Sequence, residues 1–281
     1  MPLAHIPNIV SIAGVDPSGG AGVLADVKAI SANGGYACAV IAVLTAQNTL
    51  GVTGILPIAP DFVREQIDTL FADVAIDAAK IGMLGRVAVI NVVADRLTLW
   101  HPEHVVLDPV MIAKSGDSLL EPAAIGALRE ALLPLATILT PNLPEAGVLL
   151  ETTPPDSLKG MARAAERLRN AMTHQGERWV YLKGGHLPGS DAIDLLFDGD
   201  RMIELPARRI ETKNTHGTGC TLSAALATLL PQSSDVPTAA RRAKAYLTRA
   251  IQHAERLSVG KGHGPVHHFH AFDTDPERSG N

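Results

Sequence analysis

The chain has 281 residues, 46% of them hydrophobic and 19% charged, with a formal net charge of −5. That length can bury the core of one large α/β domain or two small ones, and the mild acidity, with no Lys/Arg cluster, argues against a nucleic-acid surface. No uncharged apolar run reaches the roughly 18 residues of a membrane span, and Cys38 and Cys220 are too few for a disulfide framework. Residues 1–5 lack the basic and apolar stretches of a secretory leader, so a soluble cytoplasmic protein is expected.

Residues 8–13 form a short apolar run that stops at Gly14, as a buried strand does. A glycine-rich loop, Asp16-Pro17-Ser18-Gly19-Gly20-Ala21-Gly22, follows, and then Val23, Val27 and Ile30 take helical spacing. The loop lacks the spacing of a dinucleotide fingerprint and an acidic partner for a ribose. Residues 36–45 read as a second strand and 51–57 as a short edge strand. A helix is predicted over 61–71 with Pro60 at its start. Strands at 78–81 and 104–107 enclose a helix over 87–99. A helix over 123–133 precedes a strand at 137–139, and Thr140-Pro141-Asn142-Leu143-Pro144-Glu145 opens another helix. Residues 158–172 are helical, and 179–182 form a strand ending in Lys183-Gly184-Gly185-His186. Residues 192–197 and 202–205 flank Asp198-Gly199-Asp200, a hairpin signal. An amphipathic helix over 238–257 precedes a tail that carries His263, His267, His268 and His270. The alternation predicts a single α/β domain over 1–281, with a mostly parallel sheet covered on both faces.

In such a sheet, ligands bind beyond the carboxyl ends of the strands. The polar and glycine-rich loops fall there one after another, and the most distinctive is Lys213-Asn214-Thr215-His216-Gly217-Thr218-Gly219-Cys220 before an apolar helix. Glycine lets backbone approach a ligand closely, and the unpaired amides and dipole of a helix N-terminus favour an anion. Alone, the Gly-Thr-Gly reads first as an ordinary turn before a core helix. Asn142 and Glu145, three apart on an opening turn, read either as oxygen ligands for Mg²⁺ or as a helix start with Glu145 on the dipole. Lys183 reads either as a partner for a nucleotide phosphate or as a solvated side chain.

Together, Asp-Pro-Ser-Gly-Gly-Ala-Gly, Gln47-Asn48-Thr49, Lys80-Ile81-Gly82-Met83, Asn-Leu-Pro-Glu, Lys-Gly-Gly-His, Lys-Asn-Thr-His-Gly-Thr-Gly-Cys and the tail Gly264-Pro265-Val266-His267-His268-Phe269-His270 resemble the ribokinase-like superfamily. Within it the chain is similar, from about residue 8 to 270, to the hydroxymethylpyrimidine/phosphomethylpyrimidine kinases of thiamine biosynthesis. The resemblance implies a three-layer αβα sandwich, a homodimer, and two successive ATP-dependent phosphorylations of 4-amino-5-hydroxymethyl-2-methylpyrimidine. By position it places Gly14, Ala21, Gln47, Met83 and Val110 around the pyrimidine, with Asp26 reaching the pocket or lying on a solvated face. Gln47 can both donate and accept toward an aminopyrimidine edge. Gly217, Thr218, Gly219 and Cys220 would hold the transferring group, Lys183, Asn214 and Thr215 the ATP, and Asn142, Glu145 and Asp108 the Mg²⁺. A thiol pKa lowered by the helix N-terminus would let Cys220 take the hydroxymethyl proton, so that Cys220→Ala slows the first step more than the second. Alternatives are a pyridoxal/pyridoxine kinase, a non-catalytic pyrimidine-binding regulatory protein, and zinc binding by the tail histidines.

Overall fold

The computed structural model of the chain describes residues 5–111, 121–173 and 175–272. Residues 1–4, most of the stretch read for a leader, lie outside them. Among the described residues nine strands form one sheet: β1 (Asn8–Val15), β2 (Tyr36–Gln47), β3 (Val52–Pro57), β4 (Ala78–Ile81), β5 (His104–Leu107), β6 (Ile138–Leu139), β7 (Trp179–Leu182), β8 (Asp194–Phe197) and β9 (Met202–Leu205). Their spatial order is β3-β2-β1-β4-β5-β6-β7-β8-β9. Strands β2, β1, β4, β5, β6 and β7 run parallel. Antiparallel pairing adds β3 at one edge and the β8–β9 hairpin at the other.

Parallel neighbours need crossovers, and the helices supply them. Helices α2 (Pro60–Phe71), α3 (Val87–Trp100), α5 (Leu143–Leu150) and α6 (Leu158–Ala171) bury their apolar sides with Val10, Ile12, Ile81, Leu107, Leu139 and Val180. Helices α1 (Gly22–Ala32), α7 (Thr218–Leu229) and α8 (Val236–Gln252) pack with Ile9, Val106, Ile138, Trp179 and Tyr181. The two sets alternate along each strand, because successive side chains point to opposite faces. Helix α7 is buried on every side from Thr221 to Leu229. Its run of Ser, Ala and Thr lets the sheet, α1 and α8 all approach closely, as a helix without a solvent face requires.

Several boundaries differ from the sequence reading: the helix expected over 238–257 is Val236–Gln252, and the strand expected over 192–197 is Asp194–Phe197. The segment expected as a helix over 123–133 is a short α4 (Pro122–Ala127), then a wider turn over Leu128–Leu132 and a tight one over Leu133–Leu135. Pro134 lacks an amide hydrogen and crowds the carbonyl four residues earlier, so regular winding cannot continue. Strands β1 and β2 run further than expected, through register shifts at Ala13/Gly14 and Ala46/Gln47. Such shifts re-aim side chains at a strand end. They carry Gly14 and Gln47 to the same rim.

Candidate functional site

The carboxyl ends of β1, β2, β4, β5 and β7 meet the N-terminus of α7 around a cavity of about 380 Å³, within the range of small-molecule sites. Its wall includes Gly14, Ala21, Gln47, Met83 and Val110, all named from the sequence. The Thr45 hydroxyl lies 3.1 Å from Gln47 Oε1 and 2.8 Å from the Val15 carbonyl, which fixes the Gln47 amide at this rim.

Asp26 is a correction. It is fully buried behind the wall and does not line the cavity. Its Oδ2 accepts from Ser11 Oγ at 2.6 Å and from Lys80 Nζ at 2.8 Å, and its Oδ1 has no partner. Burial drives its pKa upward against the pull of Lys80. Lys80, which does line the cavity, is a residue the sequence reading missed. The signal was present: a lysine inside the apolar strand Ala78–Ile81 needs a buried counter-charge.

Gly217, Thr218, Gly219 and Cys220 form the entry to α7 and also line the cavity. Gly217 has φ +73°, and a Cβ there would meet the Gly20 carbonyl oxygen at 1.7 Å. Only glycine can occupy that position. Lys183 stands beside the turn: a Cβ on Gly219 would lie 3.2 Å from its Nζ. That ammonium is 3.1 Å from Asp108 Oδ1 and 3.7 Å from Glu145 Oε2. Burial works to raise the pKa of Asp108, yet Lys183 and Lys80 hold it below the ordinary carboxylate value. Glu145 goes the other way: burial, with Asp108 adding to it, pushes it up to about 7 despite Lys183.

The expected lowering of the Cys220 pKa is opposed by its surroundings, although the residue is part-buried and lines the cavity. Burial pushes its thiol up to about 11, although Lys80 pulls it down. Asn142 and Glu145 both line the cavity and also share a helix-opening role. Asn142 Oδ1 accepts the Glu145 amide at 2.8 Å while Glu145 Oε2 accepts the Asn142 amide at 2.7 Å, a capping box that opens α5. Asp108 and Glu145 remain as hard oxygen donors, a set that suits Mg²⁺ completed by water and phosphate oxygens. Among the described residues no three His, Cys, Asp or Glu side chains converge on one point, which removes the zinc reading of the tail. His268 and His270 pack inward instead. Of the three residues expected beside the ATP, Lys183 and Thr215 line the cavity and Asn214 does not: its Oδ1 sits where a Cβ on Gly264 would come within 2.3 Å.

A second feature escaped the sequence reading. His216 Nε2 lies 2.6 Å from Asp16 Oδ2, and both residues line the cavity. Asp16 also accepts from the Ser18 amide at 2.8 Å and the Ala21 amide at 3.0 Å, so the pair locks the glycine loop after β1 to the turn before α7.

An αβα sheet whose carboxyl edge combines an apolar, amide-bearing pocket with a glycine turn, a lysine and paired carboxylates is a ribokinase-like small-molecule kinase. The comparisons agree with that class. The family model for phosphomethylpyrimidine kinase matches residues 16–267, and the chain belongs to that family. The hydroxymethylpyrimidine/phosphomethylpyrimidine kinase of Salmonella typhimurium is 49% identical over 94% of this chain and 98% of its own length. Among solved structures, phosphomethylpyrimidine kinase from Clostridium difficile superposes with TM-score 0.76 at 36% identity, covering 88% of this chain and 100% of its own. Pyridoxal kinase from Staphylococcus aureus, in complex with AMP-PCP and pyridoxal, gives TM-score 0.86 at 28% identity, over 96% of each chain.

Proposed function

We propose that the chain transfers a phosphoryl group from ATP to 4-amino-5-hydroxymethyl-2-methylpyrimidine and then to its monophosphate, in thiamine biosynthesis. The observation that carries this is one cavity whose lining includes both Gln47 and Met83 and the Gly217–Cys220 turn. In this reading Gln47 pairs with the aminopyrimidine edge, and Met83 and Val110 cover its faces. The amides at the start of α7 stabilise charge on the phosphoryl group in transit, while Lys183 offsets charge on the nucleotide. Asp108 and Glu145 would hold Mg²⁺, which when bound neutralises phosphate oxygens. Cys220, which lines the cavity at the turn, would hydrogen-bond the acceptor hydroxyl, and the proton that the hydroxyl loses as the new P–O bond forms would pass to the Cys220 sulfur or to a phosphoryl oxygen.

The reading extends to a single domain and a homodimer. Leu44 (40% exposed) stands opposite Leu56 (63% exposed) across β2 and β3, an apolar pair of the kind a subunit contact covers. No helix among the described residues is long and apolar enough to cross a membrane.

The test is an ADP-release assay of the purified protein with Mg-ATP and three acceptors: the free pyrimidine, its monophosphate and pyridoxal. Turnover of both pyrimidines, with the diphosphate as final product, is expected. A kcat/KM for pyridoxal equal to or above that for the free pyrimidine would replace the reading with the pyridoxal alternative. Nucleotide binding with no turnover of any acceptor would point to the regulatory one.

A further inference from the structure

Residues 260–268 cross the carboxyl edge of the sheet without lining the cavity, and they touch both of its ends through other residues. At the acceptor end they clasp Thr49, two residues beyond Gln47. The Gly262 amide donates to Thr49 Oγ1 at 3.1 Å, and the His263 amide donates to the Thr49 carbonyl at 3.1 Å. The approach is close enough to demand glycine twice. A Cβ on Gly260, whose φ is +68°, would fall 2.1 Å from Thr49 Oγ1, and one on Gly262 would fall 2.0 Å from the Thr49 carbonyl oxygen.

At the phosphoryl end the same segment holds the turn before α7. The His216 amide donates to the Gly264 carbonyl at 3.1 Å, and Pro265 pairs with His216 in a parallel bridge. His216 in turn grips Asp16. Further along, His268 Nε2 lies 3.0 Å from Thr221 Oγ1, the residue after Cys220. The segment is itself anchored: Val266 is fully buried, the His267 amide donates to the Ala250 carbonyl at 2.9 Å, and Tyr246 Oη donates to the His268 carbonyl at 2.8 Å.

We infer that residues 260–268 are a positioning strap, which sets the acceptor rim at Gln47–Thr49 against the phosphoryl turn at His216–Cys220. The inference rests on the proposed kinase reading for its consequence and on the contacts above for its geometry. Phosphoryl transfer depends steeply on the placement of acceptor and donor, and a displacement of about 1 Å can cost roughly a hundredfold in rate. A strap that touches both ends without touching substrate is a means of fixing that placement. It also gives the histidine-bearing tail a role that needs no metal.

Three variants test it: Gly262→Ala, which pushes the strap off Thr49; Thr49→Val, which keeps the shape and removes the acceptor oxygen; and His268→Gln. Gly126→Ala serves as control, since a Cβ there meets nothing within 4 Å. Hydrogen exchange of the substrate-free protein is read first. Gly262→Ala and Thr49→Val should speed exchange of amides in 45–52, and His268→Gln in 214–222, each about tenfold, with Gly126→Ala unchanged. Kinetics follow with whichever acceptor the parent protein phosphorylates. At equal active-site concentration, Gly262→Ala should raise the acceptor KM and lower kcat, each about tenfold, and Thr49→Val should show the same trend more weakly. Unchanged exchange in both segments overturns the strap. So does faster exchange with kcat and KM both within twofold of the parent, because the segment would then be structural only. Failure of the parent to phosphorylate a pyrimidine bears on the kinase reading, while the exchange result still decides the strap.

Discussion

Cys220 sits where a helix N-terminus and a buried ammonium both favour its anion, while burial pushes its thiol the other way, up to about 11, although the residue is only part-buried and lines the cavity. The dipole contributes about 0.3–1 kcal/mol, less than one pKa unit, whereas burial of a thiolate can cost several units. The larger effect wins. In a Cys38→Ala background, alkylation of Cys220 by iodoacetamide should be slow at pH 7.5 and quicken about tenfold per pH unit up to about pH 10. A rate already at plateau by pH 8 would restore the thiolate. Burial at this scale is what sequence cannot convey. The Gly-Thr-Gly-Cys turn was legible because glycine, a helix start and an anion site share a local pattern. Whether the cysteine faces water or protein depends on Lys80, Asp26 and Asp108, which arrive from other elements. The Asp16–His216 pair lay out of reach for the same reason: its members are 200 residues apart.

Helix and strand positions were legible wherever apolar periodicity changed sharply, and the bounds of β4, β5 and β7 follow directly from their apolar runs. Asn142 and Glu145 show where local pattern supports two chemistries. Spacing of three serves a capping box as well as a metal site, and the backbone amides claim Asn142 first. The tail is a clearer case of packing over composition. His268 looks like a ligand in sequence, but burial depresses its pKa to about 3, with Lys28, His267 and His270 adding to the effect. A buried neutral histidine binds its proton less tightly than the unfolded chain does. Its contribution to stability is therefore complete above about pH 6.5 and declines as pH falls toward 3, by at most about 1.4 kcal/mol per unit. Urea midpoints of the parent should drop between pH 7 and pH 5 by more than those of His268→Gln. Parallel pH profiles for the two proteins would show that His268 is solvated.

Over the whole molecule, the two helix layers share one sheet, and one tryptophan reports on each, Trp100 from α3 and Trp179 from β7. Trp179 is fully buried with α7 and α8, while Trp100 packs on Phe71 in the α2–α3 layer. A single cooperative unit requires both to lose their surroundings together. Urea unfolding of Trp100→Phe and of Trp179→Phe, each followed by fluorescence and by far-ultraviolet circular dichroism, should give coincident midpoints within each variant. Separate transitions would divide the chain into independently folding parts. The β8–β9 hairpin, at the edge away from the acceptor pocket, adds a consequence of its own. Asp194 accepts from the Gly184 amide at 2.8 Å, from Tyr181 Oη at 2.9 Å and from Lys244 of α8, and a Cβ on Gly184 would collide with the Ile193 carbonyl oxygen at 1.8 Å. The backbone that presents Lys183 to the cavity is thus braced from behind by a carboxylate that never meets a ligand. Inactivating changes in a random library should accordingly gather at Asp194 and Lys244, on a flank that an inspection of the cavity alone would leave free to vary.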